Sequence, residues 1–431
     1  MLRYILSARE ICISSSVYSV YCTSLTNYST KRFSINIKFS PDSKKRYFLI
    51  FGIIFIALSM RSPLSAVGPL TEFIQPALTL SYSMIGLITT LPLICFAALS
   101  GFILYFTQRF GLEVTLGTAL IILTVGVVGR SFANIPALYI GTLFLGTGIA
   151  IMNVLMPSIV KRDFPERSGF MTSMYSGFMG VGATLGAGVS VPLAYATNWQ
   201  FSLGSWGILS FMGLLFWVPQ LKNRTKPKNP LHIVTAIKKL GTSGLAWQIA
   251  FFMGLQSLIF YAVLAWLPEI LIDRGMSATK AGFVLSLSQG TGILGSLLIP
   301  AIAGRFKDQR RIVIITGAME IVGITGLLLT DTFLVSTWAG ILGFGLGGNF
   351  SLALLFMVLR AETAELTTAL SGMAQSIGYF IASFGPVLFG FVHDLTNSWS
   401  IPLYSILAVA IIQLSAGLGA AKDRIISASN D

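Results

Sequence analysis

Charge is scarce in this sequence, and acidic charge scarcer still. Only 10% of its 431 residues are charged, with 16 Asp and Glu against 29 Lys and Arg. Soluble domains carry about 25% charged residues, so a chain this poor in charge and 54% hydrophobic reads as a polytopic membrane protein. The two histidines, His232 and His393, are too few and too far apart in the chain for a zinc site or a nucleophile–base pair. The three cysteines, Cys12, Cys22 and Cys95, have no metal-ligand spacing and imply no disulfide framework. There is no HExxH, no Walker loop and no GxSxG. The chain therefore offers no catalytic residue, and no cofactor or metal is expected.

Long apolar runs are what the sequence does have. From Tyr47 onward, spans of about twenty residues follow one another with short breaks. Twelve are counted, at 47–70, 82–106, 112–132, 136–160, 168–196, 201–220, 246–271, 279–304, 311–331, 335–359, 367–393 and 400–421. The longest break, 221–245, is a basic linker that separates a 47–220 half from a 246–421 half, leaving 422–431 as a tail. Residues 1–46 differ from the rest: rich in Ser, Tyr and Thr, with Glu10 and Asp42 the only acids. They lack the apolar core and cleavage site of a secretory signal. Their acid-poor composition is shared with transit peptides, and the preferred reading is a disordered tail, which an upstream start would explain.

The basic residues set an orientation. With both termini inside, the inner loops hold Lys161, Arg162 and Arg167, then Lys222 to Lys239, Arg305 to Arg311, and Lys422 and Arg424. The outer loops offer little beyond Arg130, Arg274 and Lys280. This obeys the positive-inside rule, so the net charge of +13 is topological and no nucleic-acid partner is needed. The expected place is the inner or plasma membrane, with the lipid bilayer and a small-molecule substrate as partners and a monomer as the default state.

The halves also repeat. Ser81 and Ser277, Gly86 and Gly282, Arg109-Phe110 and Arg305-Phe306, and Asn153 and Asn349 are each separated by 196 residues. Two six-helix repeats related about the membrane normal are the pattern of the major facilitator superfamily, in which substrate sits near the midplane between the halves. The fold class expected is all-α integral membrane, with twelve transmembrane helices in two pseudo-repeats.

Within the first span, Arg61 lies fourteen residues beyond Tyr47, about 20 Å into a hydrocarbon core of about 30 Å. A guanidinium there stays protonated and must face water, a partner or a ligand. Pro63 and Pro69 leave the carbonyls of Ser59 and Ser65 without donors and loosen the helix around the charge. The competing reading is a side chain that snorkels to the interface as an anchor. In the repeat register Arg61 faces Ser257 and its neighbour Gln256, while Gln289 and Gln375 also lie at mid-depth. An arginine fork with amide donors suits a carboxylate, a cyanate or a nitro group, and Tyr261, Trp266 and Tyr379 would supply aromatic walls. For each glutamine, an interhelical hydrogen bond is the alternative.

Asn153 and Asn349 read either as a symmetric inner-gate contact or as helix packing, and Arg109 and Asp308 as loop charges of the same gate. Glu320, Glu72 and Glu269 are the acids available for proton coupling. For Glu320 a neutral structural role is preferred, and for Glu72 and Glu269 a solvated loop position.

Ala57-Leu58-Ser59-Met60-Arg61-Ser62-Pro63 through Gly68-Pro69-Leu70 resembles the first-helix signature of the cyanate permease group, which includes 2-nitroimidazole exporters. Asn153 to Pro157, leading through Lys161-Arg162-Asp163-Phe164-Pro165, resembles its fourth helix and following loop. Leu370 to Tyr379, then Gly385-Pro386 and His393 to Thr396, resembles its eleventh. The resemblance implies a secondary transporter of a small anion or electron-rich molecule working by alternating access. A broad multidrug exporter is the alternative, and a membrane enzyme or sensor a remote one. The chain departs from the wider superfamily in two places. The first 2–3 loop, Gln108-Arg109-Phe110-Gly111, lacks the usual aspartate, which the second copy supplies as Asp308, and the fourth helix lacks an arginine at mid-depth.

Overall fold

In a computed structural model, residues 41–80, 82–222, 233–329 and 334–427 are described, and nearly all of them are helical. Twelve helices are long and apolar enough to cross a membrane. In chain order, spans 1 to 6 are Tyr47–Thr71, Leu87–Phe110, Leu112–Gly129, Ile135–Asp163, Pro165–Ala196 and Trp199–Lys222. Spans 7 to 12 are Gly244–Asp273, Lys280–Ala303, Arg310–Leu329, Val335–Leu359, Ala364–His393 and Ser400–Ala420. The expected twelve-helix count holds.

The repeat seen in the residues recurs as packing. Within the first half, span 1 packs on spans 5 and 6, span 4 on spans 2 and 3, and span 3 on span 6. In the second half the same pairs appear six spans later: 7 on 11 and 12, 10 on 8 and 9, and 9 on 12. Spans 4 and 10 are the most enclosed, being at the centre of each set, and their glycines let neighbours approach closely. At Gly148 a Cβ would lie 2.8 Å from the Ala119 carbonyl of span 3, a separation that only a bare Cα permits.

Three local features differ from the sequence reading. The first helix already includes Pro41, the first described residue, rather than starting at Tyr47, and is Pro41–Ser65; the rest of the expected 1–46 tail lies outside the described residues. It lapses at Ala66 and resumes as Val67–Leu78, so the loosening falls between the two prolines. The 221–245 linker contains a helix, Ile233–Thr242, that buries Ala236 and Leu240 and exposes Ile237 and Lys238. Its apolar positions recur every four residues, a one-sided pattern too short to read as a span.

Candidate functional site

The two halves meet along two crossings that are repeats of each other: span 5 on span 8 and span 11 on span 2. At the first crossing, Gly169 faces Gly304, and a Cβ on Gly169 would lie 2.5 Å from the Pro300 carbonyl. At the second, Gly372 faces Ser100 and Gly101, with 2.6 Å left for a Cβ. Hydroxyl groups then bond across the seam to backbone carbonyls. Ser176 donates to Ser296 at 3.0 Å, Ser173 to Leu297, and Ser376 to Ala97. Ser158 and Thr368 share a bond of 2.8 Å, and Gln375 donates to the Asn153 carbonyl at 2.7 Å.

All these contacts lie on one side of the bundle midplane, toward the end that carries Lys161, Lys222 and Arg305. Among the described residues, no salt bridge crosses the seam. The seam is closed mainly by small residues and neutral hydrogen bonds, with Lys161 of the first half attracted by Glu362 of the second. Each such bond between membrane helices is worth about 0.6 kcal/mol, so the set can form and break without the desolvation cost of separating buried charges.

Arg61 sits at the inner limit of this closed zone. Its Nη1 donates to the Tyr261 hydroxyl at 3.4 Å, the Tyr379 hydroxyl also meets the guanidinium, and its Cζ lies 5.5 Å from the centroid of the Phe350 ring. These three partners come from spans 7, 11 and 10, all in the other half. Phe96 of span 2 packs on Tyr379 with centroids 5.0 Å apart, and Phe260 meets Tyr261 edge-on at 5.2 Å. Beyond this ring, toward the opposite end, no hydrogen bond joins the halves among the described residues. Arg61 thus has phenols and aromatic faces around it and no carboxylate in a salt bridge. Cation–π contact holds a guanidinium in place without neutralising it, leaving its charge for an anion.

The other expected binding residues divide. Tyr261 and Tyr379 gather on Arg61. Gln256 and Ser257 are buried and bond to each other at 2.6 Å, with Gln256 also donating to the Met253 carbonyl at 3.1 Å. Gln289 is half-buried and makes no side-chain hydrogen bond among the described residues. Gln375 spends its amide on the seam and on Ser371, and its Oε1 is buried without a partner. Trp266 stands apart in an outer cluster with Trp399 and donates to the Pro386 carbonyl.

The gate residues also separate. Asn153 reaches the seam through its backbone, whereas Asn349 turns into its own half. It accepts from Thr316 at 2.6 Å and lies beside Glu320, whose Oε2 accepts from Gln413 at 2.7 Å and whose Oε1 is buried without a partner. All four side chains of that network are buried. Arg109 bonds Tyr105 at 2.9 Å, and Asp308 pairs with Arg310 at 2.7 Å; both are exposed and local. Hydrogen bonds from Arg310 hold the Asp308 carboxyl below its usual range. Glu269 is exposed, and the side chain of Glu72 lies outside the described ones.

Two pairs went unseen in the sequence. Buried Glu113 holds Arg162 at 2.6 Å, and Arg360 bonds Gln309 together with the Ala420 and Ala421 carbonyls. Glu113 and Gln309 are again 196 residues apart, a signal that the repeat register would have yielded.

Two six-span halves closed at one end around an unneutralised mid-membrane cation define a membrane transport protein. The chain belongs to the Major Facilitator Superfamily, whose pattern it matches over residues 48–386. It is a multi-pass secondary transporter and not an enzyme. It is 41% identical over 391 residues to the uncharacterized transporter YycB of Bacillus subtilis (strain 168), covering 90% of this chain and 97% of that one. It is 37% identical over 388 residues to the 2-nitroimidazole transporter of Escherichia coli (strain K12), covering 90% and 98%. To the cyanate transport protein CynX of the same organism it is 27% identical over 372 residues, covering 85% and 96%. The resemblance to the cyanate permease group therefore holds. In fold it is similar to the solved transporter FucP in the outward conformation, with TM-score 0.67 and 13% identity over 86% of this chain and 98% of that one.

Proposed function

We propose that this transporter carries a small planar anion, or a neutral molecule with an electron-rich nitro or carboxyl-like edge, across the plasma membrane by alternating access. The observation that carries the reading is Arg61: a cation between the halves whose close partners are two phenols and an aromatic ring. A bound anion would supply the missing counter-charge, and the flat faces of Phe350 and Tyr379 suit a planar ligand. The positive-inside rule makes the basic end cytoplasmic, with both termini there. The closed seam is then the inner gate, and the arrangement an outward-facing state. Gln375 joins the inner gate rather than the ligand, and Gln289 is the free amide nearest the binding role. Glu320 is a neutral structural acid, and Glu269 a solvated loop charge. The protein works as a monomer without nucleic acid. The names of two relatives, a 2-nitroimidazole transporter and a cyanate transport protein, fit this substrate class.

Ligand-induced thermal stabilisation tests it, because a ligand of the native state stabilises by RT ln(1 + [L]/Kd). Cyanate, nitrate, 4-hydroxybenzoate and 2-nitroimidazole would be titrated into purified wild type and Arg61→Gln. A rise in melting temperature with one of these, lost in Arg61→Gln, is expected. A rise that persists in the variant, or that occurs only with lipophilic cations, would sink the assignment and favour a multidrug exporter.

A further inference from the structure

A buried arginine from another part of the chain, Arg130, touches the helix of Arg61 two residues beyond it, at Pro63. Arg130 follows span 3 and is 1% exposed, yet it makes no salt bridge among the described residues. Its Nη2 donates to the Pro63 carbonyl at 2.6 Å, and its Nε meets no acceptor. An arginine buried in a membrane protein without a carboxylate is costly, and what offsets the cost here is visible. Pro63 lies in the last turn of the helix Pro41–Ser65, just below the lapse at Ala66. The last four carbonyls of a helix lack amide partners and carry the negative end of its dipole. The guanidinium rests on one of these carbonyls.

The neighbours are shaped for this contact. Gly141 of span 4 passes so close that a Cβ would lie 2.5 Å from the Arg130 backbone nitrogen and 2.6 Å from its Cβ. Gly186 of span 5 lies directly against the Ser62 carbonyl, where no Cβ would fit. Span 5 thus packs on Ser62, the residue after span 3 reaches Pro63, and span 4 holds Arg130 itself in place.

We infer that Arg130 is a positioning residue for the Arg61 site: it caps the broken first helix at Pro63 and so fixes the depth and direction of Arg61. The inference rests on Arg61 being the binding residue. Arg130 touches no substrate; it acts through the carbonyl two residues beyond Arg61. With the cap in place, the lower helix ends at a fixed point, and the segment Val67–Leu78 can tilt during transport without moving the charge. The fixed positive charge of Arg130 also opposes any slide of Arg61 toward the outer interface.

The experiment needs no identified ligand. Hydrogen–deuterium exchange would be measured on wild type, Arg130→Gln and Arg130→Lys in lipid nanodiscs. Losing a charged donor to a buried carbonyl should speed exchange of the Ala66 to Leu70 amides about tenfold or more in Arg130→Gln. Amides in the middle of span 3 should keep wild-type rates, and Arg130→Lys, which keeps a cationic donor, should recover most of the protection. Unchanged exchange at the lapse, or a uniform rise across the first half, would overturn the positioning role; the uniform rise would mean that Arg130 only holds the fold. A second readout separates this from the site itself. Uptake of 4-hydroxybenzoate and of 2-nitroimidazole would be compared in Arg130→Gln and Arg61→Gln. The positioning role predicts a higher KM with little change in maximal rate in Arg130→Gln and loss of saturable uptake in Arg61→Gln. Faster exchange at the lapse with wild-type uptake in Arg61→Gln would refute the Arg61 site and leave Arg130 only as the helix cap. Loss in Arg61→Gln with an unchanged KM in Arg130→Gln would refute positioning and leave the site standing.

Discussion

Gln375 donates its amide to the backbone carbonyl of Asn153 at 2.7 Å, joining span 11 to span 4 across the boundary between the halves. This bond lies just below Arg61 and its phenol partners. It ties the floor of the candidate site to the seam that opens in the proposed transport cycle, so the two proposed functions share a helix turn.

Removing that tie should shift the balance of states. Gln375→Leu is expected to favour opening of the basic end by about threefold, the worth of one interhelical bond. Spin labels at Phe106 and Ile302, exposed on spans 2 and 8 near that end, would report a longer mean distance by electron–electron resonance. An unchanged distance distribution would mean that the bond is passive.

Ser158 and Thr368 offer a way to lock the seam. Their hydroxyl oxygens are 2.8 Å apart, a separation that places the Cβ atoms near disulfide range. The double variant Ser158→Cys/Thr368→Cys should oxidise readily, stop uptake, and regain it on reduction. Full uptake by the oxidised protein would show that the seam does not open during transport.

Bulk at the glycine crossing should act in the opposite direction. A side chain at position 169 would collide with Pro300 of span 8 and with Gly304 just after it, and backbone cannot yield as a flexible side chain can. Gly169→Leu is therefore expected to hold the basic end open. An impermeant thiol reagent supplied from the opposite side would then label a cysteine at position 261 more slowly than in the Gly169 background. Equal or faster labelling would contradict the crossing's role in closure.

Glu320 should behave as a neutral hydrogen-bonding group. Glu320→Gln keeps shape and an acceptor for Gln413, and its melting temperature should stay near wild type. Glu320→Ala leaves Gln413 Nε2 without its partner beside a small cavity, at a cost of about 2–4 kcal/mol. Thermal unfolding of the two variants decides it: equal losses in both would indicate an ionised carboxylate at Glu320.

Much of the candidate site was legible in the sequence because a charge in hydrocarbon is conspicuous. Arg61 stood out by depth alone, and Tyr261 and Tyr379 by helix position, whereas Ser257, which the 196-residue register set opposite Arg61, bonds to Gln256 instead. Asn153 and Asn349 show the limit of that logic. Equal spacing placed them at equal depth, but the backbone of one faces the seam while the side chain of the other turns into a buried network with Glu320. A register fixes height along a helix and leaves open which way each face turns. Arg130 was read only as an outer-loop charge because nothing local distinguishes a solvated loop arginine from one that caps a distant carbonyl.

The sequence by itself determined the twelve spans, their division into two sets of six and the presence of one mid-membrane cation. These follow from hydropathy, length and repetition, which are properties of each segment taken alone. The tertiary structure alone decided which faces meet. Ser173, Ser176 and Ser376 bond across the seam to carbonyls more than a hundred residues away, and Arg61 reaches partners on three spans of the other half. Only packing could decide this, because small residues and hydroxyls carry no long-range signature: their role depends on which backbone comes within reach.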